Sequence, residues 1–135
     1  MYLPLTHTSE PHHTLLIALD DLRARNTLER WALGEGWLPV AVSCARALDA
    51  ARQLRFEAVL MEEGPQLTPL WEQVVATTGP GGTLLVVGRE GTEAAPLFNL
   101  GAAAVLRPPL DLVTLRAHLD EAAPGPLSMV PPPQL

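Results

Sequence analysis

Short apolar runs alternate with amphipathic stretches along the middle of the chain. Residues 14–19 (TLLIAL) are apolar after the first position, with no polar alternation. That is the pattern of a strand buried on both faces, as in a parallel sheet covered by helices. Comparable runs recur at 37–42 (WLPVAV), 56–61 (FEAVLM), 83–87 (TLLVV) and 103–106 (AAVL). Each leads into a stretch with helical periodicity. Residues 22–34 place Leu28, Trp31 and Ala32 on one face, with Asp20 or Asp21 as N-cap and Gly34 and Gly36 as stops. Ser43 is the expected cap for a helix over 44–54. Leu67, Leu70, Trp71, Val74 and Val75 fall at i, i+3, i+4, i+7 and i+8, with Thr68-Pro69 as cap and first-turn proline. Residues 92–100 predict a short helix containing Pro96 and ended by Gly101. Asp111 caps a helix over 112–122 that turns Leu112, Leu115 and Leu119 inward.

Five strands alternating with five helices through short connections predict right-handed βαβ units and one parallel sheet, an α/β doubly wound domain over residues 14–122. Residues 1–13, with Pro4, Pro11 and His7, His12 and His13, read as a flexible leader. Residues 123–135 read as an extended Pro-rich tail. In doubly wound sheets, sites form beyond the carboxyl ends of the strands. Asp20, Asp21, Glu62, Gly88 and Arg107 all stand at such ends, and so are predicted neighbours in space.

Composition narrows the chemistry. The 135 residues are 47% hydrophobic and carry a net charge of −6. An acidic chain with scattered arginines lacks the basic stripe that nucleic acid requires, so no nucleic-acid partner is expected. One cysteine, Cys44, excludes an internal disulfide. No apolar run reaches membrane-span length, and residues 1–14 show no secretory pattern, so a cytoplasmic protein without a membrane partner is expected. All nine basic residues are arginine and none is lysine. Abundant Ala, Arg, Gly, Pro and Leu point to GC-rich coding, which by itself favours arginine.

The β/α order, the acidic pair Asp20-Asp21 and the segments around Glu62 and Arg107-Pro108 resemble the receiver domain of bacterial two-component response regulators. The resemblance implies a flavodoxin-like five-stranded parallel sheet of order 2-1-3-4-5. It also implies a phosphoryl pocket: two acids binding magnesium after strand one, an acceptor aspartate ending strand three, a Ser or Thr after strand four, and a Lys-Pro after strand five. This chain departs from that pattern at most positions. Counted back from Gly36, Asp20 takes the place of the second acid and Leu19 of the first; the Asp20-Asp21 pair itself offers the other register. Glu62 stands at the acceptor position, and its extra methylene moves the carboxylate. Gly88 stands where the hydroxyl belongs. Counted from Gly101-Ala102, Pro109-Leu110 matches the usual Pro-Phe and Pro108 replaces the lysine; a one-residue gap places Arg107 there instead. The segment between Gly88 and Gly101 is short, which shrinks the fourth helix. The resemblance thus implies a degenerate pocket of Asp20, Asp21, Glu62, Gly88, Arg107 and Pro108.

Each candidate also has a plain structural reading. Asp20, Asp21 and Glu62 are oxygen donors suited to a magnesium ion; the acids equally suit helix capping. Arg107 is a candidate charge-assisted partner for Asp20, Asp21 or Glu62. The leader histidines read as an unstructured segment, since ordering a flexible leader around a metal costs much entropy. Cys44 reads as a small core residue rather than an activated thiol. Residues 79–82 and 88–91 read as turns, because neither matches a phosphate-loop pattern; the second keeps open a weak anion site. Trp31 and Trp71 read as core.

The expected function is a receiver-like signalling module that contacts a protein partner of a signalling pathway, without aspartyl phosphorylation and without enzymatic activity or a required cofactor. Helix four, strand five and helix five form its expected interface, with Leu97, Leu110 and Val113 contributing and a homodimer as one arrangement. The alternatives are metal-dependent phosphorylation at an acid near Glu62, and a small-molecule-binding module at the strand-end cleft.

Overall fold

A computed structural model describes residues 13–79 and 81–122 of the chain. The leader through residue 12, including His7 and His12, and the tail from 123 onward lie outside the described residues. Five strands, β1 (His13–Ala18), β2 (Trp37–Val42), β3 (Ala58–Glu62), β4 (Thr83–Val87) and β5 (Ala102–Leu106), alternate with five helices. These are α1 (Leu22–Gly34), α2 (Cys44–Gln53), α3 (Leu67–Thr78), α4 (Ala94–Leu100) and α5 (Leu112–Ala122). The sheet order is β2-β1-β3-β4-β5 and every pairing is parallel. This is the expected doubly wound, flavodoxin-like arrangement.

The unalternated apolar runs have a direct cause. Leu16 and Ala18 of β1 face one helical layer, with Ala47 of α2 and Leu70 and Val74 of α3. Leu15 and Ile17 face the other layer, with Leu28 and Ala32 of α1 and Leu115 and Leu119 of α5. Both faces of the strand are therefore covered, and each large aliphatic side chain removed from water contributes about 1.5–3 kcal/mol. Among the described residues no polar or charged side chain is fully buried. No helix among them is long and apolar enough to cross a membrane.

The structure corrects several local expectations. β1 begins at His13, whose Nδ1 lies 3.0 Å from Glu57 Oε1 and whose ring lies 5.6 Å from that of Trp37, so this histidine is not part of a loose leader. α3 starts at Leu67, so Thr68 is inside the helix and caps nothing; Pro69 is tolerated because first-turn N–H groups have no intrahelical acceptor. Ser43 makes no capping bond with its side chain. Leu97, expected on an interface, is buried in the core cluster that also holds Trp71; Phe98 is the α4 side chain half-exposed to solvent. Leu110 is partly buried against the α1–α5 core, and only Val113 of the expected interface residues is fully on the surface.

Gly101 shows how a core tryptophan dictates a glycine. Its φ is +130°, and a Cβ there would stand 2.9 Å from Trp71 Nε1. The turn into β5 closes only because the indole and the backbone meet without a side chain between them.

Candidate functional site

The carboxyl ends of β1, β3, β4 and β5 meet at one rim, which divides into two hydrogen-bonded groups. The first lies around the end of β1. Leu19 N–H donates to the Val42 carbonyl at 3.1 Å, which holds the chain end against β2. Asp21 Oδ1 then accepts from the N–H groups of Arg23 and Ala24 at 2.9 and 3.2 Å, as the N-cap of α1. Asp20 serves a different helix. Its Oδ1 accepts from the N–H of Cys44, the first residue of α2, at 2.9 Å. Two adjacent acids thus terminate two helices. Asp20 takes the role expected of Ser43, because the parallel crossover brings the start of α2 beside the end of β1.

Glu62 ends β3. Its Oε1 accepts from the Asp20 N–H at 2.8 Å and lies 3.8 Å from Cys44 Sγ. The thiol also donates to the Ala18 carbonyl at 3.4 Å. Burial, with the nearby charges of Asp20 and Glu62 and hydrogen bonds to them, pushes the Cys44 thiol up to about 12. It is a protonated donor at neutral pH, not an activated nucleophile.

One potential ligand atom from each of Asp20, Cys44 and Glu62 lies within 4.8 Å of the others. Asp21, expected as the second metal ligand, is not in this group; Cys44 takes its place. Magnesium wants octahedral oxygen ligation. Here one of the three donors is a thiol, and the Asp20 and Glu62 carboxylates each already accept a backbone N–H. The three side chains alone offer fewer oxygens than that ion takes.

The second group lies over β4 and β5. Gly88 N–H donates to the Leu106 carbonyl at 2.8 Å, and Glu63 N–H to the Val87 carbonyl at 3.0 Å. The Thr92 hydroxyl donates to Glu63 Oε1 at 2.6 Å and accepts from Arg89 N–H at 2.7 Å. Arg107 does not pair with Asp20, Asp21 or Glu62. Its Nη1 and Nη2 donate instead to the carbonyls of Arg89 and Thr92, both at 2.8 Å. Gly88 explains the choice. A Cβ there would stand 3.2 Å from Val105 Cγ1, 3.3 Å from Arg107 Nη1 and 3.4 Å from Thr92 Cβ. The missing side chain makes the room the guanidinium occupies, and the loop carbonyls are its nearest acceptors. Pro108 is exposed, and the Pro108–Pro109 peptide is cis.

The rim therefore gathers Asp20 with Glu62, and Gly88 with Arg107. Asp21 is spent on α1, and Pro108 turns away toward α1. Sequence reading overlooked three members: Cys44 as a rim thiol, Glu63, and Thr92, which it placed in a helix. The spacing of Arg89 and Thr92 carried a signal for the last, since a hydroxyl three residues on from a turn amide is a common local acceptor.

No protein-family model matches the chain, and no curated protein matches it by sequence. Solved structures do match it in fold. A response regulator receiver protein from Sinorhizobium medicae superposes with a TM-score of 0.68 at 18% identity, covering 82% of this chain and 94% of that one. A putative response regulator from Chloroflexus aurantiacus gives 0.67 at 22% identity, covering 83% and 98%. The receiver domain of a sensor histidine kinase from Pseudomonas aeruginosa, which has a magnesium ion coordinated in its active-site cleft, gives 0.65 at 14% identity, covering 82% and 97%. The chain has the fold of the response regulator receiver domain. The rim built by Asp20, Glu62, Gly88 and Arg107 stands at the carboxyl edge of that fold's sheet.

Proposed function

We propose that this chain is a receiver-like signalling module that acts by protein–protein contact, without aspartyl phosphorylation and without a catalytic step. The observation that supports this most directly is the state of Glu62. Its Oε1 is turned onto the Asp20 N–H at 2.8 Å, with a protonated thiol 3.8 Å away. Phosphoryl transfer depends on an aligned nucleophile and on positioned cations and donors that neutralise developing charge. Here the carboxylate is engaged, Gly88 offers no hydroxyl, the chain has no lysine, and the Arg107 guanidinium is committed to two loop carbonyls. The partner is a protein of a signalling pathway.

Metal-dependent phosphorylation at an acid near Glu62 is the second reading, favoured by the close approach of Asp20 and Glu62 donor atoms. Titration with magnesium followed by calorimetry, and incubation with a labelled small phosphodonor followed by intact-mass measurement, separate the two. We expect no heat of binding at millimolar magnesium and no mass increase. A stoichiometric phosphoryl adduct, lost on Glu62→Gln, would overturn the proposal.

A further inference from the structure

α4 is the least anchored helix of the fold. It has seven residues, Glu93 at its N-cap makes no capping bond with its side chain, and Leu97 alone is buried. A helix this short is not stable by itself, so contacts outside it must set its position. Those contacts converge on the loop that leads into it, residues 88–93. Gly88 N–H donates to the Leu106 carbonyl at 2.8 Å, and Thr92 N–H to the Arg89 carbonyl at 2.9 Å. The Thr92 hydroxyl joins the loop to Glu63, just beyond β3. Arg107, just beyond β5, spans the loop from the other side. One Nη donates to the Arg89 carbonyl and the other to the Thr92 carbonyl, both at 2.8 Å. Among the described residues Arg107 forms no ion pair, so its two Nη groups serve the loop alone.

We infer that Arg107 is a strap built into the fold: it holds the loop before α4, and α4 with it, in one closed arrangement. The strap thereby fixes the direction in which α4 presents Phe98, which is 49% exposed. The inference deepens the contact-module reading and rests on it for the use of the held surface. A module that works by contact, without a phosphoryl group, gains from a surface formed beforehand, because binding then orders less of the chain. The geometry is specific to arginine. The guanidinium fork offers two donors at a fixed separation to two carbonyls three residues apart, whereas a lysine ammonium is a compact point charge on a flexible stem. Bonds from a charged donor are also among the stronger ones. Gly88 leaves the room, since a Cβ there would stand 3.3 Å from Nη1. The Thr92 hydroxyl is a second tie, but it reaches the loop at one residue only.

Amide hydrogen exchange of the full chain at neutral pH, read by mass spectrometry, tests the strap. In Arg107→Ala, peptides spanning residues 89–100 are expected to exchange at least about tenfold faster than in the unaltered chain, while β1 and β3 keep their protection. Arg107→Lys is expected to behave like Arg107→Ala. Thr92→Val leaves both carbonyls strapped and is expected to raise exchange less. Arg52→Ala, which removes an exposed arginine paired with Asp49 on α2, is expected to leave residues 89–100 unchanged. Unchanged exchange over 89–100 in Arg107→Ala, a rise of the same size in β1 and β3, full protection in Arg107→Lys, or a larger rise in Thr92→Val would each overturn the inference. A phosphoryl adduct on the unaltered chain, with these exchange results intact, would instead count against the proposed function and leave the strap standing.

Discussion

At the residue scale the rim turns on single atoms. Asp20 is at once the cap of α2 and a source of the negative potential that keeps Cys44 protonated. Asp20→Asn retains an acceptor oxygen and removes the charge, whereas Asp20→Ala removes both. Urea unfolding at neutral pH is expected to show a loss of about 1 kcal/mol for the alanine variant and only a few tenths for the asparagine variant. Both variants are expected to lower the Cys44 pKa, read as a shift to lower pH in the rate of reaction with a thiol reagent. The sign matters for stability as well. A thiol whose folded pKa lies above its unfolded one adds nothing below the ordinary thiol value; it lowers stability as pH rises through that value toward about 12. An Asp20→Ala protein with an unchanged thiol profile would refute the assigned coupling.

At the scale of elements, a missing side chain in one strand end governs the placement of another. Gly88 after β4 leaves the space that the Arg107 guanidinium uses to tie the loop before α4 to the end of β5. Gly88→Ser is therefore expected to destabilise by about 1–3 kcal/mol through overpacking. In an Arg107→Ala background the same change is expected to cost less, because one of its three close neighbours is gone. A double-mutant cycle by urea unfolding measures the difference, and strict additivity would show that the two residues do not share that space. The same element-scale logic explains where sequence reading fell short. Asp111 as the cap of α5 is legible, since its Oδ1 accepts from the Val113 N–H at 3.0 Å, as a local pattern predicts. Asp20 as the cap of α2 is not, because donor and acceptor are 24 residues apart and meet only across the sheet. Leu97 was equally out of reach: its helix is short, and its packing against the core fixes which side is inward.

At the scale of the molecule, the end of α1 is fastened to α5 by Arg116, whose Nε and Nη2 donate to Glu35 Oε1 and Oε2 at 2.6 and 2.8 Å. The Arg116 hydrogen bond holds the Glu35 carboxyl below its usual range, and the Thr114 hydroxyl and Val113 amide do the same for Asp111. Carboxylates with depressed folded pKa values stabilise the protein fully above the ordinary carboxylate range and lose that contribution as pH falls through their folded values. The urea midpoint is expected to fall between about pH 5 and about pH 2, and Arg116→Ala with Asp111→Ala to flatten that slope. An unchanged slope in the double variant would assign acid sensitivity to other groups. The parallel α/β architecture, both helical layers and the location of the rim follow from the sequence, because apolar periodicity and short connections are local properties and leave few right-handed topologies. The partners of Asp20, Cys44, Glu62 and Arg107 were decided only by the tertiary structure. Hydrogen bonds at the rim are choices among several polar groups within a few ångströms, and those distances exist only once the strands have been set side by side.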